Sequence, residues 1–280
     1  MEMSLSAGAT VHRITRPGGR IAYDLYGAGH TDGTLVVCVP GMFDHRASFR
    51  FVGEALARAG HRVAVMDLRG HGDSDATFDD HTGRAAATDA LALAEELGGR
   101  DVVLAGNSLG GTAAAIAALE RPDLVAGIAL LAPFLRQPSP GPATRIAQRL
   151  MLLRPWGPRM LVRFYDSLNK GRRPQGHREH LDRIHAMLRP ADRYRAVLAT
   201  VEALGEEVRS AEGLRAETVV VVGEQDPDWK DPVAEAAWAA SVVGGRVVAV
   251  PECGHYPQSQ RPDLVVPVLE ELIARVRTNA

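Results

Sequence analysis

The 280-residue sequence predicts an α/β protein, a mostly parallel sheet flanked by helices and interrupted once by a helical insertion. Three observations predict it. Val- and Ile-rich apolar runs recur without polar alternation, the pattern of strands buried on both faces. Segments rich in Ala, Leu and Glu separate those runs at helical length. The alternation then fails once, over residues 134–216, where no β-rich run occurs.

The elements follow in order. Val11-His-Arg-Ile-Thr15 and Ile21-Ala-Tyr-Asp-Leu-Tyr26 flank Arg16-Pro-Gly-Gly-Arg20, whose Pro-Gly-Gly favours a tight reversal between two short strands. Leu35-Val-Val-Cys-Val39 is a continuous apolar run ended by Pro40-Gly41. Val63-Ala-Val-Met66, Val102-Val-Leu-Ala105, Ile128-Ala-Leu-Leu131, Thr218-Val-Val-Val-Val222 and Arg246-Val-Val-Ala-Val250 supply the remaining strands. Helices are expected over 51–59, 84–97, 109–120, 232–242 and 262–276. The last two start at Pro232 and Pro262, which the first turn of a helix tolerates.

Residues 134–216 hold prolines, several amphipathic helical stretches, and 16 Lys plus Arg against 8 Asp plus Glu. The rest of the chain holds 16 against 26, so a basic block sits inside an acidic chain. This reads as a lid over 134–216, inserted between core parts at 1–133 and 217–280. Over the whole chain Lys plus Arg is 32 and Asp plus Glu 34, without the basic excess of a nucleic-acid binder. Apolar residues at 46% and charged residues at 24% exclude a disordered chain. Cys38 and Cys253 form no disulfide framework and have no metal-ligand spacing, so no metal is expected. No apolar run approaches the roughly 18 residues of a membrane span. Met1-Glu-Met-Ser-Leu-Ser6 lacks the basic and apolar regions of a secretory signal. A soluble, cytoplasmic protein is the expectation.

The sharpest chemical signal is Gly106-Asn107-Ser108-Leu109-Gly110-Gly111, which follows a predicted strand and opens a predicted helix. Small neighbours permit a sharp turn that lifts the Ser108 hydroxyl clear of the backbone. A serine hydroxyl needs a base. Of ten histidines, His255 stands on the loop after the strand ending at Val250, where open α/β sheets place their sites. Asp226 stands in the same relation to the preceding strand and suits the carboxylate that orients the imidazole, with Asp228 and Asp231 as rivals. Donors for a developing oxyanion are expected from the Leu109 N–H and the loop Val39-Pro-Gly-Met-Phe43, at Met42 or its rival Phe43.

Together with Asp67-Leu-Arg-Gly-His-Gly-Asp-Ser-Asp75, Gly223-Glu-Gln-Asp226 and Gly254-His-Tyr-Pro-Gln258, these stretches make the chain resemble α/β-hydrolase-fold serine hydrolases outside the lid. The resemblance implies the chain order Ser108, Asp226, His255 for nucleophile, acid and base. It implies a helical cap between core strands 6 and 7, and a bracing role for the loop containing His71. Pro40 departs from the His that many relatives carry before the oxyanion-loop glycine. Ser108 argues against the epoxide and halide chemistry of relatives with Asp at the elbow.

The expected activity is cleavage of an ester, thioester or lactone of a small molecule, with no cofactor. The alternatives are carbon–carbon hydrolysis of vinylogous diketones, with Arg189 or Arg193 meeting a substrate carboxylate, and a non-hydrolytic lyase, perhydrolase or ligand-binding receptor. Phe43, Trp156 and Tyr165, with Phe164 and Met187, are candidates to line the substrate pocket. The basic lid suits an anionic substrate, a carrier or a membrane surface; a solvated arginine face explains it equally well.

Overall fold

In β3 (Leu35–Val39) all five side chains are buried. Val37 and Val39 enter one apolar layer, while Val36 and Cys38 enter the other. A strand covered on both faces has no solvent side, which is why its sequence shows no polar alternation. The computed structural model describes residues 11–136, 150–203, 208 and 210–279. Positions 137–149, 204–207 and 209 of the expected lid, and the Met1–Ser6 stretch, lie outside the described residues.

The other strands are β1 (His12–Arg16), β2 (Gly19–Tyr26), β4 (Arg62–Met66), β5 (Val102–Asn107), β6 (Val125–Leu131), β7 (Glu217–Gly223) and β8 (Arg246–Val250). They form one sheet of order β1-β2-β4-β3-β5-β6-β7-β8. The β1–β2 and β2–β4 pairs are antiparallel and all later pairs are parallel. Helices α1 (Arg50–Arg58) and α9 (Pro262–Asn279) cover one face. Helices α2 (Gly83–Glu96), α3 (Leu109–Glu120) and α7 (Pro232–Val243) cover the other. This is the α/β-hydrolase architecture. It brings the loops after β3, β4, β5, β7 and β8 to the carboxyl end of the sheet.

Between β6 and β7 the described chain forms α4 (Gly157–Leu168), α5 (His177–Leu188) and α6 (Ala191–Glu202). Their inward residues Leu161, Tyr165, Leu168, Ile184, Met187, Leu188, Tyr194 and Val197 make a third apolar cluster, completed by Phe43 and Tyr256 from core loops. These helices therefore lie over the carboxyl end of the sheet. A short helix the sequence did not announce, α8 (Pro257–Gln260), follows His255.

The loop after β3 is anchored by charge. The Arg46 side chain is fully buried and bonds Asp24 of β2 at 2.8 Å, Asp73 at 2.7 Å, and Asp67. Its own N–H donates to Asp67 Oδ1 at 2.7 Å. Burial opposes the guanidinium charge, but Asp67 and Asp24 outweigh that cost and raise its pKa. The pairing ties the end of the 40–46 loop to the 67–75 loop.

Candidate active site

Ser108 sits between β5 and α3 with φ 56° and ψ −118°, a left-handed backbone that side chains rarely adopt. The turn is so tight that a Cβ on Gly106 would lie 2.0 Å from the Gly110 carbonyl oxygen. A Cβ on Gly110 would lie 2.1 Å from the Val39 carbonyl oxygen. Both contacts are with backbone and cannot relax by rotating a side chain, so the glycines are geometric requirements. The elbow is tied to its neighbours: Asn107 Nδ2 donates to the His255 carbonyl at 2.9 Å and to the Leu131 carbonyl at 3.0 Å.

His255 is buried, and its Nδ1 lies 2.8 Å from Asp226 Oδ2. Asp226 itself is only 1% exposed. Of the rivals, Asp228 Oδ2 lies 3.2 Å from the same nitrogen. Asp231 instead caps α7, accepting from the Ala234 N–H at 3.0 Å. Burial opposes a charge on His255; the Asp226 carboxylate, their hydrogen bond and Asp228 overcome it and push the pKa up to about 9. Phe134 and Tyr256 pack on the imidazole with ring centroids 5.7 and 5.1 Å away.

The two candidate donors of the loop after β3, Met42 and Phe43, separate cleanly. Phe43 has φ 64°, and its N–H donates to His71 Nε2 at 3.2 Å. His71 Nδ1 lies 3.0 Å from the Arg69 carbonyl, which fixes the proton on Nδ1 and leaves Nε2 to accept. Burial depresses His71 to about 4, so it stays neutral for this task. The N–H groups of Met42 and Leu109 meet no acceptor among the described residues. Leu109 is the first residue of α3, where no intrahelical partner exists. A Cβ on Gly41 would lie 3.0 Å from Ser108 Cβ, so this loop passes directly beside the serine.

Of the five pocket candidates, Phe43, Tyr165 and Met187 join the apolar cluster of α4–α6, and Phe164 packs on Phe43. Phe43 packs edge-on against Phe164 at 6.2 Å. Tyr165 is buried and stacks on Tyr256, the residue after His255, at 4.4 Å. Trp156 is 49% exposed at the start of α4, its Nε1 donating to the Leu150 carbonyl, and it does not join the group. Arg193 Nη1 donates to the Gly72 and Ser74 carbonyls at 2.9 Å each, binding α6 to the 67–75 loop.

Sequence reasoning missed two polar devices. Gln260 Oε1 accepts from the Gly254 and Tyr256 N–H groups at 3.1 and 3.2 Å, while its Nε2 donates to the Lys170 and Arg172 carbonyls at 2.7 and 2.8 Å. It holds the His255 loop against the segment after α4. Asp44 Oδ1 lies 2.7 Å from His180 Nε2 on α5, and His45 stacks on the His180 ring at 4.1 Å. Only the fold brings residues 44 and 180 together, and no spacing announces the pair. Asp44, His45 and His180 form a group of metal-ligand type. However, His45 Nδ1 accepts from the Ala47 N–H at 3.3 Å, which puts the ring proton on Nε2 and makes that nitrogen a donor rather than a ligand.

Residues 36–268 match the model of the alpha/beta hydrolase family. The chain belongs to that family. Among curated relatives, sn-1-specific diacylglycerol lipase ABHD11 of Mus musculus is 38% identical over 34% of this chain and 31% of its own length. The Danio rerio protein of the same name is 32% identical over 42% of this chain and 37% of its own. The chain thus spans about a third of the length of the curated relatives it matches. Among solved structures, a thermophilic esterase from Thermogutta terrifontis superposes with a TM-score of 0.75 at 26% identity, covering 96% of this hydrolase-family chain and 99% of that one. An alpha/beta hydrolase fold protein from Burkholderia ambifaria gives a TM-score of 0.74 at 22% identity, covering 97% and 99%, a likeness of fold alone. No helix among the described residues is long and apolar enough to cross a membrane.

Proposed function

We propose that this alpha/beta hydrolase family member cleaves carboxylic esters of small molecules through an acyl-enzyme on Ser108. Neutral His255 takes the Ser108 proton through Nε2 as Oγ attacks the ester carbonyl. Asp226, on Nδ1, holds the imidazole in the required tautomer and stabilises the imidazolium that forms. The Met42 and Leu109 N–H groups hold the tetrahedral oxyanion, each contributing about 3 kcal/mol to lowering the barrier. The proton on His255 passes to the departing alkoxide. Water, deprotonated by the same His255, then releases the acid and returns Ser108 to its starting state.

The observation that carries this reading is the strained Ser108 backbone on an elbow whose Asn107 bonds the His255 carbonyl, with the His255 imidazole buried and paired with Asp226. Strain of about 1–3 kcal/mol persists only where the surroundings impose it, and such positions cluster at functional sites. The side chains of α4–α6 that pack with Phe43 and Tyr256 of the core loops are apolar, surroundings that suit an apolar acyl group. The names of the matched relatives direct the first substrate panel to acylglycerol esters. Arg193 is held by backbone carbonyls, so the carbon–carbon reading gains nothing from it.

The test is turnover of p-nitrophenyl esters of graded chain length and of mono- and diacylglycerols by wild type and Ser108→Ala. A burst of one p-nitrophenolate per Ser108 followed by steady acid release, both lost in the variant, is expected. Ester cleavage that survives Ser108→Ala contradicts the proposal.

A further inference from the structure

Two carboxylates face one nitrogen of His255. Asp226 Oδ2 lies 2.8 Å and Asp228 Oδ2 3.2 Å from Nδ1. The pairing is built into the chain: the Asp228 N–H donates to Asp226 Oδ1 at 3.1 Å, an Asx turn across Pro227 that presents both acids to the same side. Nδ1 carries a single proton, and the shorter contact gives it to Asp226. The second carboxylate therefore acts on the imidazole by charge, at a range where two unit charges interact strongly in a buried setting.

We propose that Asp228 is a second positioning carboxylate for His255, one that stabilises its charged form and takes over orientation of Nδ1 when Asp226 is removed. The inference rests on the serine-hydrolase reading of Ser108 and His255. Asp228 touches no reacting atom and works through the imidazole alone.

The charges facing His255 come from two core loops. Asp226 and Asp228 follow β7, and Asp44, which also pairs with His180 of α5, follows β3. Tyr256 and, behind it, Tyr165 of α4 add hydroxyls that burial keeps neutral. Burial opposes the charge, but Asp226, Asp228 and Asp44 outweigh it, and the imidazole is pushed up to about 9. Burial likewise raises the Asp228 carboxyl, with His255 opposing and Asp226 adding to the rise.

The consequence runs against the usual effect of damaging an acid–base pair. At pH 7 most His255 carries a proton and cannot accept one from Ser108. Removing the Asp228 charge frees more of the base, although each freed base is weaker. Asp228→Asn is therefore expected to lower the midpoint of the pH–rate curve by about one unit and to raise the rate at pH 7 by ~3-fold. Asp226→Asn is expected to lose only ~10-fold, because Asp228 remains to hold Nδ1. The double variant is expected to lose ~10⁴-fold, the scale of a triad left without its acid.

The experiment has two independent readouts. One is the rate of fluorophosphonate labelling of Ser108 from pH 5 to 10.5 in wild type, Asp228→Asn, Asp226→Asn and the double variant. The other is NMR titration of the His255 ring in Ser108→Ala and in Ser108→Ala/Asp228→Asn, with folding checked by circular dichroism. A downward shift of the imidazole midpoint on losing Asp228, with Asp226→Asn far more active than the double variant, supports the proposal. An unmoved midpoint, or Asp226→Asn as inert as the double variant, overturns it. If wild type never labels, the hydrolase reading fails, and the NMR titration still decides whether Asp228 acts on His255.

Discussion

Replacing His71 with Ala probes how the loop after β3, proposed to hold the oxyanion, is itself held. His71 is fully buried and accepts the Phe43 N–H at 3.2 Å, while Phe43 sits at φ 64°. Without the imidazole the Phe43 N–H is buried and unpaired, costing about 1–3 kcal/mol. The side-chain void adds about 1–2 kcal/mol. A left-handed conformation costs a non-glycine residue about 1–2 kcal/mol, so the freed loop relaxes away from it. The peptide that relaxes joins Met42 to Phe43, next to the Met42 N–H proposed to hold the oxyanion. Displacing that donor forfeits about 3–4 kcal/mol of transition-state stabilisation, or ~10²–10³ in rate. The assay pairs urea unfolding with the fluorophosphonate labelling rate. His71→Ala is expected to lose about 3 kcal/mol of stability and at least ~10² in labelling. His71→Gln, whose carbonyl can reach the same N–H, is expected to recover much of both. Folded His71→Ala labelled within a few-fold of wild type refutes the reasoning.

Further predictions concern the scaffold. Gly110→Ala drives a Cβ to 2.1 Å from the Val39 carbonyl oxygen and is expected to separate β3 from α3. It should cost several kcal/mol in urea unfolding and abolish labelling; wild-type stability contradicts the tight-elbow account. Arg46→Met leaves buried Asp67 and Asp24, with Asp73, facing one another without their cation, at a cost of about 3–5 kcal/mol. An unchanged unfolding midpoint counts against that account. Native His71 resists protonation until about pH 4, whereas the unfolded chain binds the proton near 6.5. Stability is therefore fully present above about 6.5 and falls as pH is lowered towards about 4, by up to ~3 kcal/mol. Burial drives His45 in the same direction. For His255 the sign reverses: its pKa is raised, so its contribution is present at low pH and lost as pH rises through about 9. Urea midpoints between pH 4.5 and 10 should therefore decline at both ends, and a flat profile contradicts both assignments.

The strands and the elbow were legible because each depends on local pattern. An unbroken run such as Leu35-Val-Val-Cys-Val39 is what two-sided burial selects, and Gly106 and Gly110 mark a turn that admits no Cβ. The positions of Ser108, Asp226 and His255 at strand ends were legible because each follows a strand of that kind, and the fold pairs the latter two. The helical stretches after β6 show as amphipathic periodicity, although the identity of their inward side chains depends on packing. Trp156, a large aromatic offered as a pocket candidate, ends up half exposed because α4 turns Leu161, Tyr165 and Leu168 inward instead. The bonds from Asp44 to His180, from Phe43 to His71 and from Gln260 to Lys170 span 136, 28 and 90 residues. Hydrogen bonds at such separations follow from the fold and leave no periodic trace. Asp228 was visible only as a rival to Asp226; the fold brings both to the same nitrogen.

In the proposed mechanism Ser108 is a nucleophile activated by His255. The most direct measurement is fluorophosphonate labelling at pH 8.5, with the modified peptide identified by mass spectrometry, in wild type, Ser108→Ala and His255→Ala. One phosphonyl adduct on Ser108 in wild type, none in Ser108→Ala, and a rate at least ~10³-fold lower in His255→Ala are expected. Folded wild-type protein that takes up no label, or labels equally fast without His255, contradicts that mechanism.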